Sequence, residues 1–184
     1  MSLPKYKYLL TYRYAEIVHD LTVTFCKKYI SYKSRTKDQM EQAARSGKQN
    51  IVEAVGESDT TKKNEIKLLG YSKGSFEELL TDYEDFLRQN NLPIYPKTDP
   101  HVSRFREIVY RLSNLRNLSN LGNLIEKAVL PPDPADAANL LVTLIHIETY
   151  LLDKQIKAMI TKFEKVGGFS ENLLQKRLTQ RNNI

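Results

Sequence analysis

Gly70-Tyr71-Ser72-Lys73-Gly74 matches the G-x-S-x-G pattern of hydrolase nucleophiles. That chemistry needs a strand, a strained turn and a helix, with a histidine and an acid in reach of the serine. The preceding residues, Asn64-Glu65-Ile66-Lys67-Leu68-Leu69, have helical character instead. The two glycines are therefore expected where another backbone presses on a helix. Glu16-x-x-His19 matches half of a di-iron site, which needs two such pairs and further glutamates on facing helices. His101 and His146 have no glutamate three positions before them, so no metal site is expected. Ser46-Gly47-Lys48 has Gln42 where a phosphate loop needs its earlier glycine and Gln49 where it needs Ser or Thr, so that reading is rejected.

Two constellations remain. Asn50 and Glu53 lie on or beside the apolar stripe of a predicted helix. They are read as buried polar residues that pair with a Lys, Arg or Tyr of a neighbouring helix and fix register. The run Lys27, Lys28, Lys33, Arg35 and Lys37 holds Tyr29 and Tyr32 between its charges, and Arg45 and Lys48 follow. Such a surface can hold a phosphate backbone while rings stack on bases. These seven cations are the candidate nucleic-acid-binding residues. The plainer reading of a charge run is solvated surface. No catalytic residue, cofactor, metal or small-molecule substrate is expected.

Long helices must position these residues. Thr36-x-x-Gln39 matches a capping box and opens a helix over 36–56. Met40, Ala43, Ala44, Gly47, Ile51, Ala54 and Val55 follow at helical spacing. Small residues dominate that stripe and let a partner helix come close. Asp59, Thr60 and Thr61 are candidate caps for a helix over 60–89, with Ile66, Leu69, Phe76, Leu79, Leu80, Tyr83, Phe86 and Leu87 inward. Before this pair, 5–32 reads as a first helix carrying Leu10, Tyr14, Ile17, Val18, Leu21, Phe25 and Tyr29. After it, Asn90-Asn91-Leu92-Pro93 makes a loop, and Asp99-Pro100 opens an inserted helix over 100–129.

Within 100–129, Asn114-Leu115, Asn117-Leu118, Asn120-Leu121 and Asn123-Leu124 repeat every three residues. On a helix this repeat drifts by about 60° per step. The leucines would then wrap round it, covered by the tail or another subunit, or the helix is simply irregular and buried. Asp133-Pro134 opens a strongly apolar helix over 134–166, and 170–180 reads as a tail helix.

Arg45-Ser46-x-x-x-Asn50-Ile51-x-Glu53, preceded by Ala43-Ala44 and followed by Lys73-Gly74-Ser75-Phe76-Glu77-Glu78-Leu79, carries a resemblance. It resembles the small bacterial proteins encoded within intervening sequences of 23S ribosomal RNA genes. Leu151-Leu152-Asp153-Lys154-Gln155, ending at Gly167-Gly168-Phe169, is similar to their four-helix-bundle suffix domain branch. The resemblance leaves 95–130 as an insertion. Gly47-Lys48 stands where many relatives carry a bulky apolar residue and Pro. The resemblance implies an antiparallel bundle that often assembles as a ring of five, with a basic surface and no established enzymatic activity. A related bundle serves the reverse transcriptase of diversity-generating retroelements and engages nucleic acid.

Composition fits a single helical domain over 1–184. Hydrophobic content of 41% and charged content of 27% are ordinary for a globular chain. One cysteine, Cys26, excludes an internal disulfide. No apolar run reaches the about 20 residues that span a bilayer, and the N-terminus lacks the apolar core of a signal peptide, so cytoplasm is the expected location. The formal charge of +6 is uneven: residues 1–50 carry +6, 51–100 carry −4, and 151–184 carry +4. A dipolar surface can steer a polyanion or pair with itself.

The expected fold is an all-α, antiparallel up-down-up-down four-helix bundle with an inserted helix and a short C-terminal helix. The expected function is a non-enzymatic homo-oligomer that binds RNA or DNA, with a pentamer implied by the resemblance. The alternative is a protein-protein scaffold or accessory subunit without nucleic-acid contact.

Overall fold

The computed structural model describes residues 3–57, 62–120, 122–166 and 169–182. Helix accounts for 79% of the structure, and no strand is present among the described residues. The helices are α1 (Leu10–Tyr29), α2 (Arg35–Glu57), α3 (Lys62–Gln89), α4 (Pro100–Leu112), α5 (Pro134–Val166) and α6 (Phe169–Asn182). Helix α1 packs on α2 and α5, α2 packs on α3, and α3 packs on α5, so these four close a cycle. Helix α4 lies outside the cycle against α5. The caps predicted at Asp59, Thr60 and Thr61 and the stop at Gly167-Gly168 fall outside the described residues.

The α2 stripe buries as its spacing predicts: Met40, Ala43, Ala44, Ile51 and Ala54 are inside. Its cap differs by two residues. The hydroxyl of Ser34, not Thr36, takes a free backbone N–H, accepting from Thr36 N at 3.2 Å. Gly47 receives two side chains of α3. A Cβ built on it would sit 2.6–2.9 Å from three carbons of the Phe76 ring. One turn away, Ser72 donates its hydroxyl proton to Gly47 O at 2.7 Å. The expectation of close approach holds for this stripe and fails for the other glycines. Gly70 and Gly74 are exposed, and a Cβ added to either would meet no atom within 4 Å. They lie on the solvent face of α3, which a helix with enough buried surface elsewhere tolerates.

The first helix is shorter than predicted. Residues Lys5–Tyr8 form a 3-10 turn, and Leu9 is extended before α1 begins. The reason is Arg13. Its guanidinium, in a residue only 5% exposed, donates to Lys7 O (3.1 Å), Tyr8 O (2.7 Å) and Ser113 O (2.6 Å). The first two carbonyls are held by a side chain in place of a continuing helix. The third ties the end of α4 to α1.

Helix α3 ends with Asn91 at φ 55° and Leu92 N bonded to Leu87 O at 2.9 Å, a left-handed cap that asparagine tolerates well. Asn139 of α5 then fixes the following loop. It accepts from Tyr95 N and donates to Pro93 O, both at 2.8 Å. Asp99 and Asp133 cap α4 and α5 as predicted, each before a proline.

Among its described residues the Asn-Leu repeat is not α-helical, which corrects the 100–129 reading. Helix α4 stops at Leu112, and the chain continues as a 3-10 turn over Leu115–Asn117 and an irregular strap down to α5. Asparagine competes for backbone groups, and here it wins. Asn114 accepts from Arg116 N at 2.9 Å. Asn117 donates to Leu112 O and Glu126 O and accepts from Glu126 N. Leu118 and Leu124 form one isolated bridge, and Gly122 has φ +78°, which favours glycine.

Replacing Gly47 by Ala puts a methyl group into the Phe76 ring. We expect a loss of about 1–3 kcal/mol in urea unfolding. Most of it should return when Phe76→Leu is combined with Gly47→Ala, giving strong non-additivity.

Candidate nucleic-acid interface

The seven predicted cations divide into two groups. Lys27, Arg35 and Arg45 are exposed and form no ion pair or hydrogen bond with a described residue. Lys28 is exposed and reaches Pro132 O at 3.3 Å, with its ammonium 4.9 Å from the Tyr29 ring. Lys33 is exposed, its ammonium 5.6 Å from the Tyr32 ring. Lys37 and Lys48 are committed internally. Lys37 lies 3.0 Å from Glu41 and 3.9 Å from Asp38, and the hydrogen bond to Glu41 holds its pKa above the ordinary value. Lys48 donates to His19 Nδ1 at 3.0 Å and so joins α2 to α1.

The two tyrosines of the run also differ. Tyr32 is 81% exposed on the connector between α1 and α2. Tyr29 packs on Phe25 at 5.0 Å and donates its hydroxyl to Pro132 O at 2.8 Å. One ring is available to a partner, and the other seals the end of the core. Acidic groups flank the surface. Arg35 shares a groove of about 550 Å³ with Asp38, Gln42, Ser75 and Glu78. Asp82 and Asp85 line a neighbouring groove of about 310 Å³. Burial, then Glu78 and Asp85, raise the Asp82 pKa.

Asn50 and Glu53 are not the buried residues, paired across to a neighbouring helix, that their spacing predicts. Asn50 is half-buried and bonds to Ser46 Oγ at 3.4 Å within its own helix. Glu53 is exposed. On α2 they sit past the edge of the Ala44–Ile51 stripe, where a small shift in helix phase moves a residue from core to solvent.

The buried carboxyl belongs to α5. Glu148 is 0% exposed, and neither oxygen has a hydrogen-bond partner. Desolvation alone pushes its pKa well above the ordinary carboxylate range. The sequence did hold a signal: Leu141, Ile145, Glu148 and Leu152 recur at helical spacing, with Glu148 the polar member. Arg13 was legible only as one charge among many.

The residues of the remaining motifs make contacts within the fold. Ser72 is buried in mid-helix and spends its proton on Gly47. Glu16 binds Lys7 at 2.9 Å and Tyr12 Oη at 3.2 Å, while His19 faces Lys48. Among the described residues, no group of three or more His, Cys, Asp or Glu is placed to hold a metal ion. Burial pushes the Cys26 thiol up to about 12, so it stays protonated and packs as a small apolar group. Among the described residues no helix is long and apolar enough to cross a membrane. Set against known proteins, the chain matches no family model, no curated protein and no solved structure.

A carboxyl with a raised folded pKa keeps its proton after the unfolded chain has released it. Its stabilising share is full below the ordinary carboxylate range and is lost as pH climbs through the folded value. Glu148→Leu should therefore be more stable than the parent at mildly alkaline pH, by about 1–3 kcal/mol. The gap should narrow on acidification, as the proton-linked part of the cost disappears. Urea unfolding across pH measures both.

Proposed function

We propose that this chain is a non-enzymatic helical-bundle protein that binds RNA or DNA through the α1–α2 connector and the adjoining helix surface, which carry Lys27, Lys28, Lys33, Arg35 and Arg45. In this reading α1, α2, α3 and α5 form an antiparallel up-down-up-down bundle, with α4 and the strap inserted and α6 appended. The bundle associates with copies of itself, in keeping with the resemblance to the intervening-sequence proteins. Several weak basic ends then act together, and avidity offsets weak contact per subunit.

The observation that carries the proposal is Tyr32, 81% exposed and flanked by cations that form no ion pair with a described carboxylate. An exposed ring among exposed cations suits a single strand: the charges track phosphates and the ring takes a base. The acidic grooves beside Arg35 narrow the contact to the connector, the end of α1 and the first half of α2.

A second reading, a protein-interaction scaffold, is favoured by one patch. Tyr110, Leu115 and Ile125, on α4 and the strap, are 71%, 49% and 67% exposed.

Salt titration of binding to single-stranded RNA and DNA separates the two. Five phosphate contacts give a log–log slope of about −3.5 for a single strand. Replacing Lys27, Lys33 and Arg35 by Ala should flatten that slope by about 2, whereas Lys37→Ala should leave it nearly unchanged. Absence of salt-sensitive binding, with native mass showing an intact assembly, would reject the nucleic-acid reading in favour of the scaffold.

A further inference from the structure

Among the described residues, Glu148 is a fully buried carboxyl with neither oxygen hydrogen-bonded. Its carboxyl sits in the core of a helix that must pack on three neighbours. From α1, Tyr14 is close enough for a charge on Glu148 to raise its phenol, although burial is the larger cause. The C-cap of α4, Ser113, is within hydrogen-bonding reach of that same phenol. The buried cation of α1, Arg13, is committed to the carbonyls of Lys7, Tyr8 and Ser113. The inward face of α3 brings Leu69, Phe76, Leu79 and Leu87, and one ionisable side chain, Tyr83, already bonded to Thr22 at 3.0 Å. Helix α2 turns Met40, Ala43, Ala44, Ile51 and Ala54 inward, none of them charged. The charged side chains of α4, Arg104, Arg106, Glu107 and Arg111, and His146 of α5 are exposed, so among the described residues no cation is placed to meet an ionised Glu148.

An ionised carboxylate needs water or a partner, and local opening reaches water at less cost than unfolding. The element best placed to open is α4. It lies outside the four-helix cycle and buries Val102, Phe105, Val109 and Leu112, a smaller set than α1 or α3. Its last turn borders the Tyr14 phenol and is fastened by the Arg13–Ser113 bond.

We propose that Glu148 is a proton-linked latch for α4: protonated, it lets α4 and the strap close over α1 and α5, and on losing its proton it releases them. The step is an acid dissociation. The proton leaves to solvent, the carboxylate is hydrated, and no bond to carbon changes.

The test is amide hydrogen exchange followed by mass spectrometry on the full chain across neutral and mildly alkaline pH, corrected for intrinsic exchange. Opening that releases one proton becomes about tenfold more favourable per pH unit between the open and closed pKa values. We expect that rise in residues 100–112, with α2 and α3 amides unaffected. In Glu148→Gln the α4 amides should show no pH dependence. Glu148→Leu gives the same readout should the glutamine variant fail to fold. Loss of protection in α2 and α3 in parallel with α4 would mean that the proton is linked to global unfolding and would overturn the latch. An unchanged α4 response in either variant would overturn it as well.

Discussion

The closeness of α2 and α3 at Gly47 sets the positions of most other parts of the molecule. A ring edge and a hydroxyl from successive turns of α3 both address one residue of α2. The contact works because Gly47 has no side chain and because its carbonyl can accept a second donor beside the helical one. Burial of Phe76 and Ser72 follows from that approach, and with it the inward setting of Leu69, Leu79 and Tyr83. Tyr83 then reaches Thr22 of α1, so the third side of the core is registered against the first two. A residue with a larger side chain at 47 would set α3 outward and leave these contacts unmade.

Polar groups inside the molecule carry the connections that helix stripes cannot. Arg13 fastens a turn, a helix and the end of α4 through backbone carbonyls alone. Hydrogen bonds to a charged donor contribute about 1.5–3 kcal/mol each, and a buried carbonyl left unpaired costs a similar amount. Asn139 does for the α3–α4 loop what Arg13 does for the strap. Glu148 has no such task, and its two unpartnered oxygens set it apart from every other polar residue of the interior described above.

The places where local sequence reasoning fails share one cause. A leucine every third residue suggests a helix surface, yet the asparagines between the leucines offer the backbone closer partners than a helix would. Gly70 and Gly74 suggest contact points, yet contact depends on which face of α3 is turned inward, and Phe76 and Ser72 turn the other face to α2. Glu53 reads as buried because helical spacing fixes a residue's angle only to within the width of the stripe. Among the candidate cations, spacing marks a basic run correctly but cannot tell Lys33, free at the surface, from Lys37, held by Glu41.

The residue order was enough to make the chain helical, to place α3 and α5, to mark the aspartates and prolines that open α4 and α5, and to assign the apolar stripes. These follow from short-range rules: side-chain period, capping chemistry and the fixed φ of proline. Three-dimensional packing was needed to set where α1 begins, to keep the strap from being a helix, to choose which glycine receives a neighbour, and to make Glu148 the buried acid. Each of those is set by a partner far away along the chain, and a local pattern holds no information about a partner that folding alone brings near.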